Sequence, residues 1–224
     1  CDLGLLSDQA SGALTVVGTA TGSEGVIALD LDANVVSGEL VGRVLRDGQL
    51  GFSGQYTEQG LSGDIAGSAS LDGYRTVLSA AVSLMDELQS LADIDFQAAG
   101  TRITGGLART VSTGLLNGGL TVVSPDVSVP AALALMDARG ALNAAVTLAP
   151  LEGKQGATIR GDVQDLVVND IRVRAADINA TVADLFGVPV VDGTANASDV
   201  SAGGVQVETL TARATQSGTT TSFE

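Results

Sequence analysis

The chain has 224 residues, 45% of them hydrophobic and only 3% aromatic, and carries 11 Lys+Arg against 26 Asp+Glu, a formal net charge of −15. A field of that sign repels nucleic acid and anionic membrane surfaces, so neither is expected as a direct partner. Histidine is absent, which removes the commonest general base and neutral-pH metal ligand, and with them most hydrolase and zinc chemistry.

The apolar content is too high for a disordered acidic tail, and the 29 glycines break the chain into short alternating runs. Any core must be built from Leu, Val, Ile and Ala. Cys1 is the only cysteine, so no internal disulfide forms. The chain opens without an initiator Met and reads as a segment cut from a larger protein; a lipidated first cysteine is the other reading of Cys1. No apolar run approaches the roughly 18 residues of a membrane-spanning helix, and no signal peptide is visible.

In chain order, Gly12 to Gly18 is a first strand. Gly25 to Asp32 alternates, with Ile27, Leu29 and Leu31 on one face and Ala28, Asp30 and Asp32 on the other, the period of a half-buried strand. Gly38 to Leu45 and Gln49 to Tyr56 follow, with Arg46-Asp47-Gly48 predicted as the tight turn between them. Leu61 to Leu71 continues the pattern. From Thr76 the spacing of Val77, Ala81, Leu84, Leu88 and Leu91 predicts a strand to Ala81 and then a helix over 82–91. Strands resume at Ala92 to Ala98, Thr101 to Thr110 and Gly118 to Val123. A second short helix is predicted over 130–138, with Pro130 in its first turn. Ala141 to Leu148, Ala157 to Val163 and Leu166 to Arg174 read as strands, and a third helical turn is predicted over 182–186. Val190 to Ala197, Val205 to Ala214 and Thr219 to Phe223 return to strand.

One internal repeat stands out. Residues 165–181 and 199–215 match at an offset of 34, with Asp165/Asp199, Val173/Val207, Ala180/Ala214 and Thr181/Thr215 identical and Ile171/Val205 conservative. A repeated strand unit that cannot bury its apolar face alone needs stacked neighbours. The chain is therefore expected to be one elongated, mainly β segment over residues 1–224.

Reactive constellations are missing. With no His and Lys154 as the one lysine, a Ser-His-Asp triad is impossible and a Ser-Lys pair has no supporting motif. Asp30-Leu-Asp32 and Asp93-Ile-Asp95 do not extend into a calcium loop and read as the solvated face of strands. Arg160-Gly161-Asp162 falls inside a strand, and the sequons at Asn179 and Asn196 matter only in a glycosylating host. No enzyme, metal site or cofactor is expected.

The faces carry more information. If successive strands pair side by side, Ile27, Leu29, Leu31, Leu50, Phe52, Leu61 and Ile65 form one continuous aliphatic surface. Two arrangements use it: a sandwich whose second sheet covers it, the commoner fate, or an open trough whose interior accepts lipid tails.

Ala183-Asp-Leu-Phe-Gly-Val-Pro-Val-Val-Asp-Gly193 and the stretch from Ala197 to Ala212 resemble the TamB family, the translocation and assembly module proteins of Gram-negative bacteria, in an alphaproteobacterial style. Ala134 to Leu148 suits the same style. The resemblance implies a long antiparallel sheet curled into an open, taco-like groove, as in the wider group of bridge-type lipid carriers. It further implies a periplasmic position within an inner-membrane-anchored protein, phospholipid acyl chains as cargo, and the outer-membrane barrel protein TamA as partner of the full-length protein. The groove lining expected from this is Ile27, Leu29, Leu31, Leu50, Phe52, Leu61 and Ile65, with Ile171, Val173, Val205 and Val207 from the repeated strands. The competing expectation is a structural or adhesive β-solenoid or sandwich with a closed core and no ligand.

Overall fold

Within each unit of the fold, consecutive stretches of alternating sequence pair with one another. The computed structural model describes residues 10–40, 42–133, 136–217 and 220–224, which form two compact units. The first holds β1 (Ala10–Ser23), β2 (Val26–Leu40), β3 (Arg43–Thr57), β4 (Gly60–Leu71), β5 (Tyr74–Met85) and β6 (Leu88–Ala98). The second opens with β7 (Thr101–Thr110), β8 (Leu116–Ser124) and a short helix, α1 (Ser128–Leu133). It continues with β9 (Ala138–Leu151), β10 (Lys154–Val168), β11 (Ile171–Ala183), β12 (Val190–Ala202), β13 (Val205–Ser217) and β14 (Thr220–Phe223). Both are open antiparallel sheets in which strand order is chain order, and neither closes into a barrel. The fold is mainly β, as the alternation predicts. Cys1 lies outside the described residues.

The hairpins are tight because their turn residues accept left-handed backbone. Glu24-Gly25, Asp72-Gly73, Glu152-Gly153 and Gly203-Gly204 all have positive φ at both central positions, for example 53° and 84° at Glu24 and Gly25. That is the two-residue turn whose twist matches the flanking strands. Such turns allow strands of up to 15 residues, longer than the glycine-bounded runs suggest.

Four sequence expectations change. Arg46-Asp47-Gly48 is not a turn but lies inside β3, where Asp47 has φ 50° and the register with β4 shifts between Arg46 and Gln49. It is a bulge, and the turn before it lies at Gly42. The stripe over 82–91 is not helical: Leu78, Val82 and Leu84 pair with Gly67, Gly63 and Leu61, and a bend at Asp86-Glu87 separates β5 from β6. The three-and-four spacing is accidental, because a helix there would leave the Gly60, Leu61, Ser62 and Gly63 end of β4 unpaired. The turn over 182–186 ends in no helix either; Val182 and Ala183 close β11 by pairing with Val191 and Val190. The helix over 130–138 is present but shorter and earlier. It starts at Ser128, whose N–H donates to Asp126 Oδ1 at 2.9 Å, and residues 134–135 lie outside the described residues.

Asp165 and Asp199, the head of the repeat, share one backbone conformation, with φ 49° at both. Each precedes a tight turn, Asn169-Asp170 or Gly203-Gly204, and the repeat then runs through β11 and β13. Asp199 pairs with Arg174. The bulge at Asp165 has a definite consequence. Ala141 and Arg139, two apart on β9, pair with Gln164 and Val167, three apart on β10. Leu166 and Val168 therefore stay on the same side of the sheet as Val163, despite the change of parity.

One side chain completes the ladder where the sequence interrupts it. Pro150 on β9 has no N–H, and the β8–β9 register begins only at Gly118 and Leu148. Gln155, paired with Pro150 and 2% exposed, reaches past it. Its Oε1 accepts the Leu116 N–H at 2.7 Å, and its Nε2 donates to the Leu116 carbonyl at 3.1 Å. Beside it, Lys154 Nζ donates to Asp184 Oδ2 at 2.6 Å, and this bond holds the Asp184 carboxyl below the usual carboxylate range.

Two outcomes follow. Gln155→Leu should lower unfolding free energy by about 2–4 kcal/mol in urea, since it orphans a buried donor and acceptor; a loss under about 0.5 kcal/mol would contradict this bridge. For Asp184, whose folded value is depressed, the linked stability is present above the usual range and lost as pH falls through the lowered value. Lys154→Met should move the Asp184 carboxyl upward in an NMR titration, and an unmoved carboxyl would refute the assignment.

Candidate functional site

Antiparallel pairing puts partners on the same side of a sheet, so the register shows which residues share a face. In the first unit, Ile27, Tyr56, Leu61 and Leu84 form one cross-strand row, and Leu31, Phe52, Ile65 and Ala80 form another. Between them lies the row Leu29, Gly54, Gly63 and Val82; beyond them lies Ala33, Leu50, Gly67 and Leu78. All seven positions predicted on this surface, Ile27, Leu29, Leu31, Leu50, Phe52, Leu61 and Ile65, come together on one side. The alternate rows carry Asp30, Ser53 and Asp64, or Asn34, Gln49 and Ser68. One side is apolar and free of charge in these rows; the other is polar.

The second unit repeats the arrangement. Leu120, Val146, Ile159 and Ala180 form a row, as do Leu142, Val163, Ala176, Ala197 and Leu210. Near the turns, Leu166, Val173, Val200 and Val207 make a further row, Val168 pairs with Ile171, and Ala202 pairs with Val205. The predicted Ile171, Val173, Val205 and Val207 are thus brought together, and the bulge at Asp165 keeps them with the main apolar side. The opposite side carries Asn143, Asp162, Asp177, Asn196 and Thr211, joined by hydrogen bonds of 3.0, 3.0 and 3.2 Å within the row.

Neither apolar side is covered. Among the described residues the buried apolar ones are Val35, Ala80, Ala138, Ala157, Val182 and Val190, half of them alanines. Ile27 is 40% exposed, Leu50 43%, Ile178 44% and Val205 63%. Contiguous apolar rows left exposed or half-buried are unusual on a soluble monomer and mark a surface that meets something apolar.

Glycines shape this surface. A Cβ at Gly54 would lie 2.7 Å from Phe52 Cζ, and one at Gly63 would lie 2.9 Å from Phe52 Cε2. The Phe52 ring therefore lies flat over the paired glycines. Leu50 leans over Gly67 in the same way, 2.9 Å from a Cβ placed there. Large side chains spread over glycines give a smooth surface instead of a toothed one. Phe52 consequently holds the sheet as well as lining it.

The lining expected from the sequence leaves out Leu84 and Leu78 in the first unit, and Tyr56 although it alternates in step with Leu50 and Phe52; it also leaves out the Leu120–Val146–Ile159 row in the second. Period-two alternation in Ala141 to Leu148 and Ala157 to Val163 is the signal that marks the latter. Among the described residues no three His, Cys, Asp or Glu side chains gather to hold a metal ion, and no helix is long and apolar enough to cross a membrane. Asp30, Asp32 and Asp93 lie exposed, as the solvated-face reading expects, while Asp95 is half-buried; Arg160-Gly161-Asp162 lies inside β10, as expected. Comparison with family models, curated proteins and solved structures gave no match.

A double variant, Leu29→Asp with Leu50→Asp, should cut Nile red fluorescence enhancement at least threefold with unchanged strand content by circular dichroism. Equal enhancement in the two proteins would show that this side is not where apolar ligands sit.

Proposed function

We propose that the apolar side of each unit shelters phospholipid acyl chains, and that the chain serves as part of a hydrophobic conduit between inner and outer membranes. The observation that carries this reading is the uncovered apolar side itself: row after row of aliphatic side chains, exposed or half-buried, without a charge among them. Burying a methylene against such a surface contributes about 0.8 kcal/mol. Rows repeating at the strand spacing of about 4.8 Å offer a tail many equivalent positions and no single deep well, which suits movement better than storage.

The work is binding, with no reaction centre: the rows contain no nucleophile, general base or charge. The TamB resemblance adds the setting, a periplasmic segment of an inner-membrane-anchored protein that works with the outer-membrane barrel TamA. A closed-core structural or adhesive segment would need a second layer over the apolar sides, and the described residues supply none.

The test is native mass spectrometry of the protein purified from a Gram-negative host, followed by solvent extraction and lipid identification. Co-purified phospholipid, reduced several-fold by Leu29→Asp with Leu50→Asp, is the expected result. A lipid-free protein that also takes up no lipid from mixed micelles would overturn the proposal.

A further inference from the structure

The first unit holds a cationic row whose placement the apolar side does not explain. Among residues 10–99 the only basic side chains are Arg43, Arg46 and Arg75. Arg43 is engaged by Asp72, at 3.3 Å, and the same carboxylate accepts the Val44 N–H at 2.8 Å. Arg46 and Arg75 are not engaged in this way; neither forms an ion pair or hydrogen bond among the described residues.

Their cross-strand neighbours are serines. Arg46 on β3 pairs with Ser37 on β2 and Ser70 on β4, and Ser70 pairs with Arg75 on β5. The result is one row, Ser37–Arg46–Ser70–Arg75, with no carboxylate in it, in a chain where acidic residues outnumber basic ones 26 to 11. Opposite charges facing each other across strands stabilise a sheet, so a sheet selected only for its own stability would place Asp or Glu opposite these arginines. The row lies on the polar side, with Ser68 and Gln49 in the row that follows. Both arginines are exposed and Ser70 is half-buried between them.

Arg46 and Arg75 stand two strands apart, about 10 Å between backbones, close enough for two long side chains to lean together over Ser70. Two guanidinium forks and a hydroxyl donor are the groups that recognise a tetrahedral oxyanion. We propose that this row binds a phosphate-type oxyanion, a phosphomonoester or phosphodiester, between Arg46 and Arg75 above Ser70. The molecule's net charge opposes anions in general, so the affinity is local and falls with salt. A free phosphate and a phospholipid headgroup offer the same chemistry. The inference stands on the row and does not depend on the acyl-chain reading.

The experiment titrates the protein with inorganic phosphate at low ionic strength, following backbone amides of β3, β4 and β5 by NMR, with chloride at matched ionic strength as control. Saturable shifts centred on Ser70 are expected, weakened at least tenfold in R46Q/R75Q and less so in S70A. Shifts reproduced by chloride, or retained in R46Q/R75Q, would overturn the proposal. Because both arginines are exposed and Ser70→Ala removes a single hydroxyl from a half-buried position, strand content should not change in either variant. A second arm identifies the source. Selective loss of dioleoylphosphatidylglycerol in R46Q/R75Q, with dioleoylglycerol uptake unchanged, assigns the site to a headgroup. Phosphate binding with equal uptake of both lipids assigns it to free phosphate. Failure to take up either lipid bears on the acyl-chain reading alone.

Discussion

Backbone pairing between neighbouring strands is the interaction on which everything else here depends. A globular domain buries its apolar side chains and lets the ladder follow; this chain buries six apolar residues among those described and leaves its aliphatic rows open. Within each unit, neighbouring strands in sequence instead satisfy one another's N–H and C=O groups, over long registers such as the thirteen pairs joining β2 to β3. Such a structure is quasi-one-dimensional within each unit, stabilised by nearest-neighbour interfaces. Local, sequential pairing also keeps loop-closure costs small during folding. Gln155 shows how strictly the rule is kept: where Pro150 removes a donor, a side chain supplies the missing bonds.

A ladder of this kind separates the two sides of the sheet completely, and the bulges preserve that separation. Asp47 and Asp165 each take a left-handed conformation inside a strand and shift the register by one residue. Without compensation, the apolar residues beyond them would turn to the polar side. With it, Leu166 and Val168 remain beside Val163, and Leu45, paired with Leu71, remains on the side of Leu50. The sequence changes parity and the backbone changes it back, so the aliphatic surface stays continuous along each strand.

This explains what could be read in advance. The fold class and the seven apolar positions between Ile27 and Ile65 were legible because period-two alternation depends only on side-chain direction. The shared side of Ile171, Val173, Val205 and Val207 was legible through the offset of 34, which maps β11 onto β13. The bulges were not. Asp47-Gly48 has the composition of a hairpin turn, and only its pairing on both sides, with β2 and β4, makes it a bulge. The helix expected over 82–91 failed for a related reason: Leu84 belongs both to the three-and-four stripe with Leu88 and Leu91 and to the period-two run Leu78, Ala80, Val82 and Leu84, and the edge of β4 decides between them. Whether the apolar side would be covered was also beyond the sequence, since a sandwich and an open sheet need the same alternation. Phe52 illustrates the limit at one residue. Its place on the apolar side follows from parity, but its ring over Gly54 and Gly63 follows only from the cross-strand register.

The central claim is that the aliphatic rows face solvent until something apolar covers them. Methyl NMR of the protein with a soluble, neutral paramagnetic probe tests it most directly. Strong broadening of the Leu29, Leu50 and Ile178 methyls, far beyond that of Val182, is the predicted result. Uniform protection of all four, as in a packed core, would contradict the account.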